Sequence, residues 1–403
     1  MRNILFRYPL VKKILFSFLI SIVFLLGRYI PLPNVAISQT SLEADSSLEV
    51  ASALSGGSLA NIGLFSLGLG PWMYSIILNR VFALGRKRPA GGNLQQQKQL
   101  LVMLVVALIQ GLGIALTLTY VEPTSVQLIA TATVVLVTGS FVLMWLGNLN
   151  AAYGVGGPTL IMFLSIIVSQ FRVVPVFATV LAGPKALYAL FILVWTLVSI
   201  YVTVVFEKAE YRIPIQRVSI NSDMAKKAYL PIRVNPSNGM PIMYAYTFLA
   251  FPQYFLILLS YFLKNNSLLQ YGVYFTTRNE IGIGIYVLLV LLLSYSFAFV
   301  NLDPLSIAKG FRASGDYIKN IRPGKPTQLY LTRYIRFFGI FSGVITGILL
   351  STPLILFLPE QELQIITPLS GIFMMMTGMI LMIREEVFTS RLRRKYTELF
   401  EGN

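Results

Sequence analysis

Apolar residues in this chain gather into blocks of about twenty, the length an α-helix needs to cross the hydrocarbon core of a bilayer. Ten such blocks stand out, at residues 14–30, 62–84, 100–120, 126–146, 159–176, 186–206, 241–263, 281–300, 337–358 and 363–383. They predict an all-α membrane protein of ten transmembrane helices. The first block follows Arg2, Arg7, Lys12 and Lys13 and could pass for a secretory leader. Its end, Gly27-Arg28-Tyr29-Ile30-Pro31, is unlike a small-residue cleavage site, so it is read as a span.

The second block differs from the rest. Across residues 51–80, Gly56, Gly57, Gly63, Gly68, Gly70 and Pro71 occupy positions where an ordinary membrane helix carries leucine. Glycine permits turns and close backbone approach, and proline removes a donor and kinks a helix. Irregular backbone at membrane depth is tolerated only where it lines a cavity or is buried in protein. The stretch predicts a small-residue half-helix that becomes an apolar helix from Ile62, facing a pore or a binding site. The plainer reading is a kinked span whose glycines serve helix packing.

Composition agrees with the pattern. Of 403 residues 56% are hydrophobic and 12% charged, far from a soluble average. With no cysteine and no histidine, neither a disulfide framework nor a thiolate or imidazole metal site can form. A net charge of +16 on so apolar a chain points to basic cytoplasmic loops before it points to nucleic acid. With the N-terminus placed in the cytoplasm, 27 of the 32 lysines and arginines fall on that side, leaving Arg28, Arg172, Lys185, Lys264 and Arg278 outside. Both termini are therefore expected in the cytoplasm. Five spans per half is an odd number, so the second half enters the membrane upside down. That is the condition for an inverted repeat with the functional path between the halves.

Several chemistries are excluded. Intramembrane proteolysis needs a Ser–His pair, a zinc site, or two aspartates within spans. The chain lacks histidine, and Asp45, Asp223, Asp303 and Asp316 all lie in connections. No GxxxxGK[ST] loop is present, so the chain is not its own ATPase of that kind. Ion-coupled carriers usually hold carboxylates inside spans. Here the charges within the blocks are Arg28, Arg80 and Arg172, each near an end where arginine can snorkel. Gln110, in the middle of a span, is expected to bond across to another helix or to face a wet path. The connection 31–50 reads as a solvated loop and 86–92 as a basic turn.

Two long basic connections remain. In 207–240, alternation around prolines in Tyr211-Arg212-Ile213-Pro214-Ile215-Gln216 and in 229–236 predicts a projecting hairpin. In 301–336, a short amphipathic helix should precede the turn Arg322-Pro323-Gly324-Lys325-Pro326. Topology or anionic lipid accounts for these charges as simply as a docked acidic partner does.

These stretches carry a resemblance. SGGSLANIGLFSLGLGPWMYSIIL resembles the second transmembrane region of the SecY family of protein-conducting channels, and GRYIPLPNV the end of its first helix. RIPIQ followed by YLPIRVNPSNGMPIMYA is similar to the family's large cytoplasmic loop and seventh helix, and LDPLSIAKGFRASGDYIKNIRPGKPTQLYL to the next loop. The motifs occur in order from Gly27 to the tail. The resemblance implies an hourglass of ten helices in two inverted pseudo-symmetric halves, 1–176 and 177–403. It implies a plug at about 51–64, including Ser55, Gly56, Gly57, Leu59 and Asn61. It implies a pore ring of Leu69, Met73, Met162, Met243 and Thr247, completed by Met375 or Met379. Leu69 and Met73 are four apart and share one helix face. A lateral gate would run between the second and third helices and the seventh and eighth, with Gln110 and Tyr246 as polar members. Arg212, Arg322 and Lys325 would meet a motor ATPase or a ribosome, while Tyr211 stands where many members have a second arginine.

Departures narrow the resemblance. The stretch between Gln216 and Tyr229 is short, the ring is rich in methionine, and the fifth-helix entry carries Gly157-Pro158. These features are similar to the accessory SecY paralogue of Gram-positive bacteria, which exports large serine-rich glycosylated adhesins with its own SecA-type motor. Expected partners are that motor, small SecE- or SecG-like membrane subunits, accessory secretion proteins, the passing polypeptide and lipid, with no nucleic acid bound directly and no cofactor. A housekeeping channel and a secondary transporter of small solutes stay open as alternatives.

Overall fold

The computed structural model describes residues 9–35, 46–59, 62–84, 92–121, 125–217, 228–265, 267–360 and 362–401. Its helices are α1 (Pro9–Arg28), α2 (Ser46–Leu54), α3 (Gly70–Leu84), α4 (Gly92–Thr117), α5 (Val126–Tyr153), α6 (Gly157–Ala182) and α7 (Ala186–Lys208). After two strands come α8 (Met240–Leu263), α9 (Glu280–Asn301), α10 (Pro304–Ser314), α11 (Lys325–Leu356) and α12 (Leu369–Glu401). Among the described residues, eight helices are long and apolar enough to cross a membrane. The two expected spans outside that set are the second, where α3 has only 15 residues, and the tenth, where α12 extends into a charged tail.

Local chemistry explains the boundaries. Ser125 caps α5 by accepting from the Leu128 amide, and Asn279 caps α9 by accepting from Ile281. Asp303 accepts from Leu305 and Pro304 occupies the first turn, opening α10, which Gly315 closes in the left-handed region. Three expected boundaries are corrected. The block 62–84 is not one helix, because 62–69 is a run of turns and α3 begins at Gly70. Pro71 sits in the first turn of α3, where its missing N–H has no intrahelical partner to lose. The ninth helix begins twelve residues early, at Lys325, because Pro326 initiates it. The tenth begins six residues late, at Leu369, after turns. The connection 31–50 is not all loop either, since Ser46 starts α2.

The two basic connections meet. Strand β1 (Glu210–Gln216) pairs antiparallel with β2 (Tyr229–Arg233), Glu210 opposite Arg233 and Pro214 opposite Tyr229. The expected hairpin is therefore present. Strand β3 (Tyr317–Ile318), which belongs to the second connection, pairs with Ile215 and Gln216. The sheet order is β2-β1-β3, and Ile213, Ile232 and Ile318 from its inner face pack on Leu331 and Ile335 of α11. Nearby, α11 and α9 approach closely through small residues: a methyl on Gly339 would lie 2.9 Å from the Ala298 Cβ. Such small contacts drive helix association where lipid supplies no hydrophobic force.

Candidate functional site

The glycine-rich stretch folds into a knot. After α2, residues 55–59 turn back on themselves, and the Leu69 amide donates to the Ser55 carbonyl at 2.6 Å. The Gly57 amide donates to Ser52 O and the Ser58 amide to Ser66 O. Gly57 and Gly68 touch backbone to backbone: a Cβ on Gly68 would lie 2.5 Å from the Gly57 nitrogen, and one on Gly57 would lie 2.3 Å from Ser66 O. Gly68 also has φ +63, a region that disfavours side chains. Only glycine fits either position. Ser55, Gly56, Gly57 and Leu59 are all buried here. Asn61 lies outside the described residues.

The knot packs against apolar side chains of the main buried core. Leu69, Met73, Met162, Met243, Met375 and Met379, drawn from the 62–69 turns, α3, α6, α8 and α12, all fall in one buried cluster. Thr247, one turn beyond Met243 on α8, is buried too and bonds its own helix at the Met243 carbonyl. A Cβ on Gly56 would be 3.5 Å from Ile161 and 4.0 Å from both Leu69 and Met162. The turn therefore rests directly against these residues. Capping α8, Gly239 lies beside Met375 and Gly378 of α12.

One seam between the halves is polar. Tyr74 of α3 is 1% exposed, and its hydroxyl donates to the Thr247 carbonyl of α8, with Gln110 of α4 lining the same cavity. Further along, Tyr246 of α8 packs on Tyr286 of α9 with ring centroids 4.4 Å apart. Ser52, Ser55, Gly70, Tyr74, Gln110, Thr247 and Tyr254 line one small cavity, so the seam and the knot share a wall. Gln110 and Tyr246 were legible in sequence as polar groups in spans. Tyr74 was missed; the available signal was that a buried tyrosine hydroxyl needs a partner.

Comparison with known proteins decides the family. A model of the SecY family matches residues 63–387. The chain is 43% identical over 395 residues to the accessory Sec system protein translocase subunit SecY2 of Streptococcus agalactiae serotype III, covering 98% of this chain and 97% of that one. It is 32% identical to the protein of that name from Streptococcus gordonii, covering 98% and 99%. The chain belongs to the SecY family. Among solved structures, one described as the structure of a protein conducting channel aligns with TM-score 0.72 at 17% identity, covering 95% of this chain and 93% of that chain. Another, described as showing that the plug domain of the SecY protein stabilises the closed state and maintains a membrane seal, aligns with TM-score 0.66 at 18% identity, covering 95% and 92%. The SecY fold expected from the motifs is thus present.

Arg28 requires a correction. Expected to snorkel, it is only 6% exposed, and its Nη1 donates to Ser165 Oγ of α6 at 2.7 Å. Arg212, Arg322 and Lys325 are exposed. Arg212 lies over the Tyr229 ring at 4.8 Å, and Tyr211 stacks on Tyr334 of α11 with centroids 5.1 Å apart. Arg322 and Lys325 are exposed beside the start of α11, where the Arg322 carbonyl accepts from Thr327. The β1–β3 pairing brings these two SecY loops onto one face.

Proposed function

We infer that this chain is the channel subunit of a protein translocase, passing unfolded secretory polypeptides through a central pore that the 51–64 stretch closes. One observation supports the reading: Gly56 of the glycine knot packs against Leu69, Ile161 and Met162, in the same buried apolar cluster as Met73, Met243, Met375 and Met379. Such a ring can close around a moving chain of any sequence while binding nothing strongly. Leu69, Met73, Met162, Met243, Thr247, Met375 and Met379 form the constriction, and Tyr74, Gln110 and Tyr246 the lateral gate toward lipid. The wealth of methionine suits bulky or varied cargo, because its side chain is flexible and polarizable.

The membership of an accessory Sec system, named for the streptococcal relatives, favours a Gram-positive cell membrane, a SecA-type motor and serine-rich glycosylated adhesins as cargo. Ten spans with both termini in the cytoplasm then put β1–β3, Arg212, Arg322 and Lys325 on the motor's side. Small SecE- or SecG-like subunits and accessory secretion proteins complete the assembly.

Planar-bilayer conductance of the purified protein tests this. Wild type should be silent, and deletion of residues 51–59 should give large, flickering currents. Silence in both, with the deletion variant folded, would refute the plugged channel and return attention to solute-uptake assays.

A further inference from the structure

The plug is tied to helix α1 at two points of different kind. At its root the tie is backbone: the Leu64 amide donates to the Ile30 carbonyl at 3.0 Å, and Gly63 bridges to Pro31. A side chain on Gly63 would strike the Ile30 carbonyl at 2.5 Å. At its tip the tie runs through side chains. Ser165 Oγ donates to the Gly57 carbonyl at 2.9 Å, and the same oxygen accepts from Arg28 Nη1 at 2.7 Å. A serine hydroxyl has one proton, so donation to Gly57 fixes its lone pairs toward the guanidinium. The relay thus has a single direction, from cation to hydroxyl to plug carbonyl.

Three features separate this relay from ordinary packing. Arg28 is the last residue of α1, and its Nη1 crosses to α6. Ser165 is fully buried and lies three residues beyond Met162, on the same face of α6. The relay therefore stands one turn from the ring. Charge-assisted bonds are about twice as strong as neutral ones, and polarisation along a chain of bonds strengthens the last of them.

We propose that Arg28 is the positioning residue that holds the plug closed, its charge polarising Ser165 so that the hydroxyl grips the Gly57 carbonyl. The root tie persists when the plug moves, and the tip tie is the one that exchanges for water. This rests on the plug reading above.

The test uses the absence of native cysteine. Ser52 is 5% exposed and its hydroxyl has no partner, so Ser52→Cys is a nearly isosteric reporter. In reconstituted full-length protein, its labelling rate by a membrane-impermeant maleimide reads plug opening directly, alongside bilayer conductance. Arg28→Gln and Ser165→Ala should each raise labelling and open probability roughly ten- to a hundredfold, as loss of a charge-assisted hydrogen bond implies. The double variant should match the larger single effect, because both act through one relay. Ser165→Thr keeps the hydroxyl and should stay near wild type, a rescue that a purely steric role for Ser165 would not give. Should Arg28→Gln fail to fold, the Ser165 pair decides alone. Labelling within twofold of wild type in Ser165→Ala, while Gly68→Ala raises it, overturns the latch and leaves the plug standing. No change in Gly68→Ala either overturns both.

Discussion

Gly68→Ala is the sharpest test of how the knot is held. The added Cβ would meet the Gly57 nitrogen at 2.5 Å, the Ser55 carbonyl at 2.8 Å and the Gly57 Cα at 3.0 Å. All three are backbone atoms, so no side chain can swing aside. Left-handed φ at a non-glycine residue costs about 1 kcal/mol or more. Relieving the overlap moves the strand bearing the Leu69–Ser55 hydrogen bond, and a lost bond and overpacking add roughly 1 to 3 kcal/mol. A total near 3 kcal/mol falls on the closed state alone, because the contact between Gly57 and Gly68 does not exist once the plug leaves. At 1.4 kcal/mol per decade, the open population should rise about a hundredfold. Single-channel recording measures this as open probability at fixed voltage. Gly284→Ala, where an added Cβ meets nothing within 4 Å, is the matched control. An open probability for Gly68→Ala within threefold of that control would refute the reasoning.

Other consequences follow from the seam, the ring and the far surface. Tyr74→Phe removes the bond to Thr247 while keeping the ring; it should ease gate opening by about 1–3 kcal/mol. Disulfide trapping between single cysteines placed on α3 and α8 should fall accordingly, and an unchanged yield would count against the latch. Isoleucine at Met73, Met162 and Met243 together should narrow the range of cargo translocated in a vesicle assay, since branched side chains adapt less. Equal efficiency for small and bulky cargo would contradict the role given to methionine. Lys185 pairs with Glu360 at 2.6 Å and Glu362 at 3.1 Å, and bonding to Glu360, then to Glu362, raises its pKa above the ordinary 10.5. A raised folded pKa means the pair's contribution is intact below 10.5 and lost as pH rises through the raised value. Thermal midpoints of wild type and Lys185→Met should therefore run parallel from pH 6 to 9 and converge only as the pH passes 10.5.

What could be read from the sequence depended on how local the cause was. Span membership is a property of twenty neighbouring residues, so α5, α7 and α8 start within one residue of expectation. The hairpin was legible because alternation and proline lie in one short run. The knot was legible only as an anomaly. Six glycines and prolines announced broken backbone, but that Gly57 would meet Gly68 depends on an eleven-residue return no periodicity encodes. The three failures are alike. Strand β3 has two residues, too few to alternate, and exists because β1 offers it an edge. Tyr74 and Arg28 were read by position along a helix, which tells depth and nothing of the neighbour. Arginine near a helix end does reach water when lipid surrounds it; here α6 stands in the way and offers Ser165 instead.

The shared wall between knot and seam has a mechanical consequence. Ser52 and Ser55 of the knot line the same cavity as Tyr74, Gln110 and Thr247 of the seam, which are the plug and gate of the proposed channel. Displacing the plug removes two polar walls and exposes the Tyr74 cluster to water, which competes for the bonds that close the seam. Parting α3 from α8 in turn withdraws the side chains against which α2 is packed. The proposed channel's two seals are therefore expected to loosen together. In the proposed channel a polypeptide entering the ring would meet Leu69 and Met73, and those residues flank both the knot and the seam: the Leu69 amide holds Ser55, and Met73 adjoins Tyr74. Pressure on one short segment, residues 69–74, therefore reaches plug and gate together, and that gives a passive channel one trigger for two openings.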